Sequence, residues 1–148
     1  MADDTPKSIS GAESKPAELG AAESAGEAVQ QGDVQVQARA QAEDHYYAAL
    51  DHVGEGRDEE AVAEYRQALA ADPAFTDALH GLSRALQNLN LLDEAIAVAI
   101  QISALDPDDV LAHTSLSILY QKKGMIPEAE AEAAKARVLG WKQQLKGK

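Results

Sequence analysis

Four histidines, at positions 45, 52, 80 and 113, are the side chains of this chain best suited to hold a metal or move a proton near neutral pH. A metal site needs several donors converging on one point. His45 and His52 stand seven residues apart, and His80 has neither a second histidine nor a pair of carboxylates to complete a set. The acids of "DPDD", 106–109, lack the Asp-x-Asp-x-Asp-Gly loop and distal glutamate of a calcium site. They read instead as a turn leading into a helix N-terminus. The carboxylates of "RDEEAVAEY", 57–65, fall in the first turn of a helix, where negative charge is favourable. The absence of cysteine excludes disulfides, thiolate ligands and thiol nucleophiles. No phosphate-cradling glycine loop or nucleophile elbow occurs. These residues argue for a non-catalytic protein with no metal and no cofactor.

Charge narrows the partners. The 148 residues carry a formal net charge of −12, which nucleic acid phosphates and anionic lipid headgroups would repel. The one local excess of positive charge, Lys135 to Lys148, reads as favourable cations at a helix C-terminus. The N-terminus lacks the basic and apolar regions of a secretory signal, and no apolar run approaches the ~20 residues needed to span a bilayer. The expectation is a cytoplasmic protein that neither binds nucleic acid nor inserts into a membrane.

The elements that position these residues come in two textures. Residues 1–41 are rich in Ala, Glu, Ser and Gly and too poor in large apolar side chains to offset chain entropy, so they read as a disordered tail. Within it, 33–41 has no Gly or Pro and extends towards a helix. From 42 to 148 the chain repeats. Asp72-Pro73 and Asp106-Pro107 lie 34 residues apart. At the same offset fall Glu60-Ala61, Glu94-Ala95 and Glu128-Ala129, then Gly56, Asn90 and Gly124, and Ala49, Ser83 and Ser117. Three units follow, 42–75, 76–109 and 110–143, with a short extension over 140–148. Each holds two amphipathic stretches around a turn, a helix hairpin. First helices are predicted near 42–54, 76–88 and 110–122, and second helices near 58–71, 92–105 and 127–139.

This spacing resembles the tetratricopeptide repeat. The second unit carries the pattern best, with Leu79, Leu82, Ser83, Leu86, Ala95, Ile102 and Pro107. The third has His113, Leu116, Ser117, Tyr120, Ala129 and Ala136, with Trp141 where proline would stand. The first has His45, Ala48, Ala49, His52, Ala61, Tyr65, Ala68 and Pro73. His45, His52 and His113 thus fall on packing positions. Ile102, where alanine is usual, should widen the second unit slightly. The resemblance implies an all-α fold, a right-handed α-α superhelix of three helix-turn-helix repeats.

It also implies a concave groove lined by first helices. The positions that face it are Glu43, Tyr46, Leu50 and Val53, then Asp77, His80, Arg84, Gln87 and Asn88, then Leu111, Thr114, Ile118, Gln121 and Lys122. Such a surface suits a peptide segment or amphipathic helix of a partner protein, which makes the chain an adaptor. Chaperone-binding members clamp a terminal carboxylate with Lys, Asn, Asn, Lys and Arg. Here Tyr46, Leu50, Gly81, Leu111 and Ser115 stand at those places, so that ligand is rejected. The residues after Leu139 are too few for a full capping helix. Trp141 and Leu145 either fold back over the open end or leave it apolar, and the second outcome gives the alternative, a homo-oligomeric scaffold.

Overall fold

The computed structural model describes residues 32–147, so the tail expected over 1–31 lies outside the described residues. The chain divides into two units, Met1–Ala38 and Arg39–Lys148. Of the first, 32–38 is helical and exposes Val34 and Val36. The second contains six helices and, among the described residues, no strand. They are α1 (39–54 within this unit), α2 (Asp58–Ala71), α3 (Thr76–Asn88), α4 (Leu92–Leu105), α5 (Val110–Lys122) and α6 (Ile126–Lys146). Among the described residues no helix is long and apolar enough to cross a membrane.

The turns are the repeat made visible. Gly56, Asn90 and Gly124 all adopt positive φ, 76°, 62° and 78°, the left-handed residue that ends a helix. Behind each, the very next amide returns to the helix in the same way: Arg57 N–H to His52 O, Leu91 N–H to Leu86 O, Met125 N–H to Tyr120 O, at 2.8, 2.9 and 2.8 Å. Between hairpins, Asp72 and Asp106 are both extended, with φ of −140° and −142°. The proline that follows each one bars the helical conformation. Their carboxylates accept from the backbone N–H of Ala74 and Asp108, closing identical small turns.

Packing follows the small residues. Ala49, Ala61, Ser83, Ala95 and Ala129 are buried, which lets each pair of helices approach closely. The Ser83 hydroxyl, sealed in the second hairpin, donates to Ala95 O at 3.2 Å, so its burial leaves no polar group unpaired. Ile102 is accommodated by Leu79 and by Ala112, whose small side chain leaves it room. Neighbouring helices in sequence are neighbours in space, as in a stack of hairpins.

Two expectations change. The folded unit begins at Arg39, three residues before the boundary expected from composition. Arg39 donates to Glu43 at 3.2 Å and to Asp72 at 2.6 Å, and its guanidinium lies 4.1 Å from the ring centroid of buried Phe75. Composition near residue 39 holds no sign of partners over thirty residues away. At the other end, α6 runs on to Lys146 instead of stopping near 139. Gly140 is a poor helix former, but Gly140–Lys146 is otherwise a run of helix-compatible residues without proline. Trp141 and Leu145 therefore stay on the helix, 67% and 72% exposed, and do not fold back.

Candidate interaction groove

First helices α1, α3 and α5 carry the predicted groove positions, and the structure gathers some of them. Tyr46, Leu50 and Val53 of α1 face Asp77, His80, Arg84 and Asn88 of α3 across a cleft of about 400 Å³. Its floor is Tyr65 of α2, almost fully buried, with its ring tip against Gly81. A Cβ on Gly81 would come within 2.4 Å of the Tyr65 ring, so glycine is what lets α3 cross the tyrosine this closely. Burial raises the pKa of both Tyr65 and Tyr46 above the ordinary tyrosine value, and Asp77 adds to the effect at Tyr46. Tyr46 is held by aromatic neighbours, its ring centroid 5.1 Å from Phe75 and 6.1 Å from Tyr65.

Other predicted positions lie elsewhere. Glu43 is half-buried and paired with Arg39, outside the cleft. Leu111, Thr114, Ile118 and Gln121 line up as exposed residues along α5 and do not contribute to this cleft. Thr114 donates its hydroxyl to Val110 O of its own helix. Arg84 is exposed and makes no ion pair among the described residues, with Asp77 or otherwise. His80 has one carboxylate partner, short of the pair that a ligand set would need. Its Nε2 lies 2.9 Å from Asp109 Oδ2, tying α3 to the start of α5. Asp109 also caps α5, accepting from Ala112 N–H at 3.1 Å through its other oxygen.

The remaining histidines pack. His45 Nδ1 meets Glu64 and His113 Nδ1 meets Glu132, each at 2.7 Å and each linking the two helices of one hairpin. His113 has a second acceptor, Pro107 O at 2.9 Å from Nε2. A ring with oxygen acceptors at both nitrogens must donate from both, and is therefore the imidazolium. Burial works against that charge and is the largest influence on it. The Glu132 and Pro107 hydrogen bonds outweigh burial, and the pKa is raised above 6.5. His52 leaves Nδ1 buried without a hydrogen-bond partner among the described residues.

A stack of helix hairpins, with paired turns every 34 residues, defines a helical-repeat fold. Residues 52–119 match the tetratricopeptide repeat model. A crystal structure of MamA superposes with a TM-score of 0.69 at 22% identity, over 70% of this chain and 61% of MamA. The chain thus spans less than two thirds of that protein. The second repeat domain of Spaghetti (RPAP3), bound to the HSP90 peptide SRMEEVD, gives 0.68 at 21% identity, over 72% of this chain and 98% of that domain. The Yersinia enterocolitica type III secretion translocator chaperone SycD gives 0.63 at 21%, over 66% of this chain and 73% of its own. At these identities the likeness is one of fold. No curated protein matches the sequence.

Proposed function

We propose that this protein is a non-catalytic adaptor that holds a short segment or amphipathic helix of a partner protein in the groove of its first helices. The observation that supports it is the cleft between α1 and α3. There Tyr46, Leu50 and Val53 stand beside Arg84, an exposed cation with no ion pair among the described residues. Tyrosine and arginine are the commonest anchors of binding surfaces, and apolar side chains left in solvent beside them form a place to bury a partner's own. The segment that fits presents an apolar side chain to the cleft and a carboxylate to Arg84.

The Spaghetti domain carries an HSP90 peptide, but this chain is not proposed to do so. Tyr46, Leu50, Gly81, Leu111 and Ser115 stand where the clamp of such domains would, and none is the Lys, Asn or Arg of that clamp, so no charged or amide donor is there to hold a terminal carboxylate.

Affinity capture from the source cell tests the reading, comparing the native chain with a Tyr46→Ala, Arg84→Ala, Leu111→Ala variant of unchanged helicity. A distinct protein recovered by the native chain and lost with the variant supports the groove as the working surface. Equal recovery by both forms, or recovery only of further copies of the chain, refutes it.

A further inference from the structure

The two ends of the stack differ in charge. At the α1 end, Asp44 and Asp51 are exposed on the outer face with Tyr47 between them. One repeat on, the same places hold Ala78 and Ala85, and two repeats on, Ala112 and Leu119, all buried within the stack. The face that inside the stack receives a preceding hairpin is thus acidic on α1, and among the described residues no hairpin covers it. At the other end, α6 is 21 residues long against 14 for α2 and α4. From Ala133 to Gly147 it carries Lys135, Arg137, Lys142 and Lys146 and no carboxylate, in a chain whose net charge is −12. With about 3.6 residues per turn, Val138, Trp141 and Leu145 form one stripe, and all three are exposed. Lys135 and Lys142 run along one flank of it.

We propose that this basic, apolar side of α6 docks on the acidic outer face of α1 in a second copy of the chain, joining copies head to tail. The spacing supports it as well as the sign. Asp44 and Asp51 are seven residues apart, and so are Lys135 and Lys142, two helical turns in each case. The charged rows lie on the same flank of Tyr47 and of the α6 stripe, so an antiparallel pairing sets Lys142 against Asp44 and Lys135 against Asp51, with Tyr47 over the stripe near Val138. Successive helices in the stack are also antiparallel, so the contact continues the direction of the fold. Lys135 already reaches Glu132 at 3.2 Å, whereas Lys142, Asp44 and Asp51 make no ion pair among the described residues. Because the two faces are different surfaces at opposite ends, each bound copy leaves one of each free, and the assembly grows or closes into a ring. This contact uses neither Arg84 nor His80 and stands apart from the groove reading.

The test is the mass of the purified full chain across a concentration series, by analytical ultracentrifugation. At about 50 mM salt the mass at least doubles with concentration, and at about 0.5 M salt it returns towards the monomer, since exposed charges are then screened. Two variants of confirmed helicity separate the faces: Lys135→Gln, Trp141→Ser, Lys142→Gln, and Asp44→Asn, Tyr47→Ser, Asp51→Asn. Each alone stays monomeric, and an equimolar mixture forms a one-to-one pair and nothing larger. A native chain that is monomeric throughout overturns the proposal. So does assembly that survives in the α1 variant, which would mean that α6 pairs with itself.

Discussion

His45–Glu64 and His113–Glu132 occupy the same two positions of the first and third repeats and have the same 2.7 Å separation. Their surroundings differ. The side chains of the first pair are 40% and 30% exposed, those of the third 9% and 14%. In the middle repeat the two positions hold Leu79 and Val98, which need no charge at all. One site of the repeat is therefore filled in three ways, as a solvent-exposed histidine–carboxylate hydrogen bond, a buried histidine–carboxylate pair and an apolar contact. What separates them is water: an exposed pair is screened, while a buried one is costly to leave incomplete.

The largest effect is expected where the middle repeat is apolar. Leu79→Ala removes a side chain that is almost fully buried against Ile102 and Ala112, and should cost about 3 kcal/mol in chemical denaturation. Next comes Glu132→Gln, which leaves the buried His113 cation without its carboxylate, at about 2 kcal/mol.

The buried pair also fixes a direction with pH. His113 has a folded pKa above the unfolded value of 6.5, so its contribution is fully present below about pH 6.5 and is lost as pH rises through the folded value. Thermal melts from pH 6 upward should show that loss in the native chain and not in Glu132→Gln. A double change, His113→Leu with Glu132→Val, copies the middle repeat; it should remove this pH dependence while leaving stability near the native level. A native chain whose stability is flat across this range would show that burial of the third pair has no effect on how His113 titrates.

Gly81→Ala should cost about 1 to 2 kcal/mol. The methyl group meets the Tyr65 ring, which is too buried to move aside, and this outweighs the helix propensity gained. His45→Ala, at the exposed pair, should fall below about 1 kcal/mol. A His45 effect as large as that of Glu132 would break the comparison between the repeats.

Much of the fold was legible because the repeat is written in residues with local consequences. Asp-Pro forces an extended residue, and glycine or asparagine accepts positive φ, wherever it stands. The groove was legible in part. Tyr46, Leu50, Asp77, His80, Arg84 and Asn88 share one cleft because first helices at a constant 34-residue offset place equivalent positions side by side. Glu43 left that set for a reason invisible in its own repeat, the approach of Arg39. His80 gained Asp109 across 29 residues, a contact that depends on how α3 meets the start of α5. The length of α6 was missed because the repeat pattern stops at 143 while helix propensity does not.

By itself, then, the sequence determined the class of fold, the number of hairpins and the residues at each turn, since backbone conformation there depends on the residue and its immediate neighbours. Only the tertiary structure decided that His113 meets acceptors at both ring nitrogens, which carboxylates are already paired, where the folded unit begins and which apolar side chains stay in water. Those depend on burial and on contacts between residues far apart in the chain, and no local pattern encodes either.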